Sequence, residues 1–99
     1  MKNRIPVVFV KGESRITIKS SKFLAPKEIS MAQFLMSVRD KCDITESEAI
    51  YLLTESNKLI PSSYKMEEIY KLHKNKDNFL YLIYNTENVF GKRRNFNFL

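Results

Sequence analysis

Ninety-nine residues with 43% hydrophobic side chains, including seven Phe and five Tyr, specify one domain with enough apolar surface to close a core, and they exclude a disordered chain. Lys and Arg outnumber Asp and Glu by 17 to 11, a formal charge of +6, but Lys92, Arg93 and Arg94 supply three of the cations, and residues 92–99 carry no acid; without them 14 cations face 11 acids, or +3. With no long Lys/Arg run and no glycine-aromatic RNA signature, the charge is weak support for nucleic-acid binding. Cys42, the single cysteine, excludes an internal disulfide. The chain opens without a charged-then-apolar signal segment, so a cytosolic location is expected. No apolar run approaches the roughly 20 residues of a membrane-spanning helix, so any membrane attachment must be covalent or peripheral.

Ile5-Pro6-Val7-Val8-Phe9-Val10 reads as a first strand, with Pro6 near its start where a missing donor is tolerated. Lys11-Gly12-Glu13-Ser14 has turn composition, and a second strand is expected between residues 15 and 25, ended by Pro26; together these make a hairpin. Ser30 stands three residues before Gln33, a capping-box spacing, and Met31, Phe34, Leu35, Val38 and Cys42 fall at helical intervals, which predicts a helix from about Met31 to Lys41. Phe34, Leu35 and Val38 should pack on the sheet, and Cys42 reads as a small buried hydrophobe.

Thr45-Glu46-Ser47-Glu48 predicts a short turn before a third strand, Ala49–Thr54. Ser56-Asn57-Lys58 reads as a turn, with Leu59-Ile60 as a brief strand before Pro61. Met66, Ile69, Tyr70 and His73 share one helical face, with Glu67 and Glu68 early and Lys71 and Lys74 late, as the helix dipole favours. After the turn residues Asn75–Asn78, Phe79–Tyr84 is the most apolar run, with apolar residues on both alternating sets. It is expected to be a central strand covered on both faces. The order β-β-α-β-α-β predicts an α+β domain of the β-grasp, ubiquitin-like type, with two helices on a four-stranded mixed sheet.

Catalytic constellations are missing: one histidine (His73), one cysteine, no glycine-rich phosphate loop and no companioned carboxylate pair. The chain therefore reads as a non-enzyme needing no cofactor or metal. Asp40, Asp43, Glu46 and Glu48 read as solvated surface. Gly91, one of two glycines, follows Asn85–Phe90 and precedes the basic tail. It is either a loosened end of the domain or a position where the backbone must enter a narrow site.

Arg4-Ile5-Pro6-Val7-Val8, Phe23-Leu24-Ala25-Pro26, Gln33-Phe34, Arg39, Ile60-Pro61, Ile69-Tyr70, His73, Phe79-Leu80-Tyr81 and Glu87-Asn88-Val89-Phe90-Gly91 stand in an order that resembles the autophagy ubiquitin-like modifiers of the light-chain and GABA-receptor-associated type. The resemblance runs from Arg4 to Gly91. It implies a domain of residues 1–91 and a tail of residues 92–99 removed by a cysteine protease that cuts Gly91-Lys92 just after Phe90. Activating and conjugating enzymes would then carry the Gly91 carboxylate to phosphatidylethanolamine, whose two acyl chains suffice for stable anchoring on autophagosomal or related membranes. In that scheme the nucleophiles belong to those enzymes.

The resemblance also implies a docking face for partners with aromatic-x-x-aliphatic motifs, which add a strand beside the second strand. Pro6, Val8, Lys22, Leu24 and Phe79 would surround the aromatic, and Phe23, Ala25, Pro26, Ile29 and Phe34 the aliphatic. Arg4, Lys22 and Arg39 would meet acidic flanking residues. Val8 and Phe34 read equally as core; for Lys22, Leu24 and Phe79 the binding role is favoured over Leu24 as core and Lys22 as a charge that guards an exposed edge. The chain departs from the family pattern in beginning almost at the first strand, without the two helices that precede it in relatives, in a shorter and less basic hairpin loop, in Ser37 at a usually apolar place, and in the small Ala25. Two other readings remain: an unconjugated ubiquitin-fold module that binds peptides, and a small basic nucleic-acid binder.

Overall fold

A computed structural model describes residues 3–45 and 49–86. Six elements follow the expected order: β1 (Arg4–Lys11), β2 (Lys22–Pro26), α1 (Met31–Lys41), β3 (Ile50–Leu53), α2 (Met66–His73) and β4 (Leu80–Thr86). The four strands form one mixed sheet in the order β2-β1-β4-β3. β1 pairs antiparallel with β2, placing Pro6 opposite Leu24 and Val8 opposite Lys22, and parallel with β4, placing Val7 beside Leu80. β3 closes the other side, antiparallel to β4. β4 is therefore central, as its apolar run requires.

The alternation along each strand sorts its side chains. Ile5, Val7 and Phe9 of β1 and Leu80, Leu82 and Tyr84 of β4 are buried, and they share one core with Met31, Phe34 and Val38 of α1 and Met66 and Ile69 of α2. The Phe9 ring lies 5.4 Å from that of Phe23, 5.8 Å from that of Phe34 and 6.0 Å from that of Tyr84, all tilted or edge-on, as aromatic quadrupoles favour. Cys42 is buried at the end of α1. On the opposite sheet face Pro6, Val8, Tyr81 and Ile83 are only half-buried. The expectation that both faces of β4 are covered therefore holds for one face alone, because both helices pack on the same side of the sheet.

Local chemistry sets the helix ends. Ser30 Oγ accepts from the Gln33 backbone N–H at 3.2 Å, and Gln33 Oε1 accepts from the Ser30 N–H at 2.9 Å, the capping box expected from the sequence. Just past the other end, Asp43 adopts a left-handed φ of 53°. At the start of α2, Glu68 Oε1 accepts from the Lys65 N–H at 2.8 Å. The two helix starts are tied together: the Met31 N–H donates to Tyr64 O, the Met66 N–H to Ile29 O and the Glu67 N–H to Lys27 O, at 2.8, 2.9 and 3.0 Å.

The hairpin differs from expectation. Gly12 makes no turn; its N–H donates to Tyr84 O at 2.9 Å, and the chain continues beside β4, with the Thr86 N–H donating to Glu13 O and Thr86 Oγ1 accepting from the Arg15 N–H. A Cβ at Gly12 would overlap Asn85 Oδ1 and lie 2.7 Å from Ile83 Cγ2, so close approach, not a special φ, explains the glycine. The connection then crosses back with Ile16 and Ile18 buried, and β2 begins only at Lys22. Leu59 makes a single bridge to Leu53. The turn expected at Thr45–Glu48 falls largely outside the described residues.

Candidate functional site

β2 pairs only with β1, so its other edge is open among the described residues. Strand alternation gives this edge two chemically different sides. Phe23 and Ala25 face the helices, whereas Leu24 points away from the core and is 47% exposed. A cleft opens on each side of the strand, and both are lined by Arg4 and Leu24.

The first cleft, of about 520 Å³, lies where the start of β1 meets α2 and the turn before β4. Pro6, Leu24 and Phe79 give it an apolar wall, while Lys27, Lys71 and Glu67 ring its mouth with Arg4. Phe79 is 37% exposed, and its backbone is held by the preceding turn. The Phe79 N–H donates to Asp77 Oδ1 at 3.0 Å, Tyr81 Oη donates to Asp77 Oδ2 at 2.6 Å, and Tyr70 Oη donates to Asn78 O at 2.9 Å. The bond from Tyr81, followed by that from the Phe79 N–H, holds the Asp77 carboxyl below its ordinary range, and the same pairing with Asp77 pushes the Tyr81 phenol up.

The second cleft, of about 370 Å³, lies between β2 and α1. Phe23, Pro26, Ile29 and Phe34 form its apolar side, and Gln33, Ser37 and Lys41 project into it from α1. Phe34 serves twice, as a buried core residue and as a wall of this cleft, so the two readings of it coexist.

The twelve side chains expected at the docking face thus divide. Arg4, Pro6, Leu24 and Phe79 line the first cleft, and Arg4, Phe23, Leu24, Pro26, Ile29 and Phe34 line the second. Ala25 lines neither, because it is fully buried beneath the strand. Val8 lies half-buried on the outer sheet face opposite exposed Lys22, and both stand outside the clefts. Arg39, expected to meet acidic flanking residues, lines neither cleft, whereas Lys41 lines the second. Lys27, Glu67 and Lys71 were not foreseen; Lys27 and Glu67 are joined there by the Glu67 N–H donating to Lys27 O, and Lys71 follows one turn along α2. Phe90 and Gly91 lie outside the described residues. Among the described residues no group of three His, Cys, Asp or Glu is placed to hold a metal, and no helix is long and apolar enough to cross a membrane.

Two helices on one face of a β2-β1-β4-β3 mixed sheet define a β-grasp domain of the ubiquitin-like class. Residues 1–91 match the family model described as "Autophagy protein Atg8 ubiquitin like", and the chain belongs to that family. It is 38% identical over 95 residues to an autophagy-related protein 8-like protein of Dictyostelium discoideum, covering 91% of this chain and 75% of that one. It is 37% identical to autophagy-related protein 8 of Saccharomyces cerevisiae, with 92% and 79% covered, and 39% identical to human microtubule-associated protein 1 light chain 3 gamma, with 90% and 63% covered. The crystal structure of Trypanosoma brucei ATG8 superposes with a TM-score of 0.77 at 31% identity, over 87% of this chain and 75% of that one. The fold and the autophagy family expected from the sequence are both established by these likenesses.

Proposed function

We propose that this chain is an autophagy modifier whose tail is removed after Gly91, whose new carboxyl end is joined to phosphatidylethanolamine, and which then recruits partners carrying aromatic-x-x-aliphatic motifs. The observation that carries the reading is the open edge of β2 with a cleft on either side of it. A peptide added to this edge gains main-chain hydrogen bonds from β2. Side chains three positions apart on an extended strand point to opposite sides and lie about 10 Å apart along it, so the aromatic turns toward Leu24 and Phe79 while the aliphatic turns toward Phe23 and Phe34. Arg4 stands at both clefts and is positioned to meet acidic flanking residues.

The family match ends at Gly91, eight residues before the last residue of the sequence, which supports cleavage of the Gly91-Lys92 amide. Hydrolysis there frees the Gly91 carboxylate. The activating enzyme would join the carboxylate to the nucleotide of a nucleoside triphosphate with release of pyrophosphate, an enzyme thiolate would displace the nucleoside monophosphate to form a thioester, and the headgroup amine of the lipid would displace the thiolate and form an amide. The conjugate would sit on autophagosomal or related membranes and the unconjugated chain in the cytoplasm. Two measurements test the reading. Phe79→Ala should weaken binding of an aromatic-x-x-leucine peptide by about tenfold or more, the loss typical of an aromatic anchor's pocket. Gly91→Ala should block tail removal and lipid addition, read as the mass of the cellular protein. An intact tail on wild-type protein from both fed and starved cells would leave only an unconjugated peptide-binding module.

A further inference from the structure

Phe96-Asn97-Phe98-Leu99, in the tail, has the aromatic-x-x-aliphatic spacing that the two clefts are read as receiving. Among the Phe and Tyr residues of the chain only Phe79 is also followed three positions later by an aliphatic side chain, and that one, Leu82, is buried in β4. Residues 96–99 lie outside the described residues, and the described ones fix where the segment starts and what it can reach. Val8 pairs with both Lys22 and Tyr81, so the start of β2 lies level with a point five residues back from Thr86 and two strands across. From Thr86 to a strand added outside β2 this is about 17 Å along the sheet and about 14 Å across it, or about 22 Å in all. The ten steps from Thr86 to Phe96 span up to about 33 Å when extended.

The direction also fits. Because β1 is parallel to β4 and antiparallel to β2, β4 ends at the same end of the sheet at which β2 begins. A segment arriving from Thr86 therefore meets β2 at its first residue and runs alongside it in the same direction, with Phe96 toward Leu24 and Phe79 and Leu99 toward Phe23 and Phe34. Resting on the docking reading above, we propose that residues 96–99 dock on the β2 edge of their own chain, so that the tail blocks partners until it is cut away. The clefts carry Arg4, Lys27, Lys41 and Lys71 against Glu67 alone, and Lys92, Arg93 and Arg94 stand just before the motif, so like charges keep the contact weak. Tethering compensates: at an effective concentration on the order of 1 mM, a segment with a free Kd of about 100 µM occupies the edge about ten times as often as it leaves it empty. Hydrolysis after Gly91 ends the tethering, so the same cut exposes the new carboxyl end and frees the edge for partners with acidic flanks.

A labelled aromatic-x-x-leucine peptide with acidic flanks, titrated against the full chain by fluorescence anisotropy, tests this. Phe96→Ala combined with Leu99→Ala should tighten its binding about tenfold, the release of a competitor present at about ten times its Kd, whereas Asn97→Ala should leave it within about twofold. All three substitutions leave the family-matched residues 1–91 unaltered. Equal affinities of the wild-type chain and the double variant, each weakened by Phe79→Ala, overturn the proposal while the docking reading stands. Dimers of the wild-type chain in sedimentation velocity that the double variant lacks place the tail on a second copy and overturn docking within one chain. If neither chain binds the peptide, the docking reading falls and the self-docking of the tail with it.

Discussion

Asp77 shows how one exposed carboxylate can organise a site it does not enter. It accepts from the Phe79 N–H and from Tyr81 Oη while Asn78, between Asp77 and Phe79, adopts a left-handed φ of 70°. The turn that presents Phe79 is thereby held by its own side chains, as short Asx-type turns are. The Asp77 carboxyl is depressed, so its contribution is complete above its unfolded-state pKa and is lost as pH falls through the lower folded value; the Tyr81 phenol is raised, so its contribution is complete below its unfolded-state pKa and is lost as pH rises through the higher folded value. The clamp is therefore whole across the neutral range. Asp77→Asn should move the Tyr81 titration, followed by the NMR shift of its ring carbons, down toward an ordinary tyrosine. An unmoved midpoint would show that the carboxylate does not hold the phenol.

At the level of elements, β2 is the strand most exposed to chance partners, since it is an edge strand and Leu24 on it is 47% exposed. Lys22 is exposed at its start, opposite Val8 and outside both clefts, which favours its reading as an edge guard over a peptide contact. Lys22→Ile should therefore give concentration-dependent self-association in sedimentation velocity while changing peptide affinity by less than about threefold, the size of a rim charge's effect. A monomeric variant with much weakened peptide binding would return Lys22 to the docking face. α1 bears on the same site differently: its Phe34–Val38 stripe anchors it to the sheet, and its Gln33–Ser37–Lys41 stripe gives the adjacent cleft its polarity.

The whole molecule concentrates its order at the centre of the sheet. β4 is hydrogen-bonded on both sides, and its Leu80, Leu82, Tyr84 and Thr86 side chains are buried, whereas among the described residues β2 pairs on one side alone and β3 meets only the Leu59 bridge on its outer side. Tyr84 Oη accepts from the buried Ile18 N–H at 3.1 Å, and Thr86 Oγ1 accepts from the Arg15 N–H at 3.2 Å, so β4 also fixes the long β1–β2 connection. In native-state hydrogen exchange the β4 amides should be the slowest of the sheet, with β2 opening well before global unfolding. Equal protection of β2 and β4 would contradict this gradient.

Patterns confined to neighbouring residues were legible in the sequence. The period of Met31, Phe34 and Val38, the Ser30–Gln33 spacing and the apolar density of Leu80–Tyr84 identified the helix, its cap and the central strand, since each rests on interactions within a turn or a strand. The order of elements, with the family landmarks, carried the fold and the family. Only the tertiary structure decided that Gly12 passes beside Asn85 instead of turning, that Ala25 is buried beneath β2, that Lys41 and not Arg39 reaches the second cleft, and that Lys27 and Lys71 meet at the first. Each of these depends on where a distant segment comes to rest, on the phase of a helix against a strand, or on two helix starts being hydrogen-bonded together. Local propensity carries no information about such placements, because their energies arise between residues far apart in the chain.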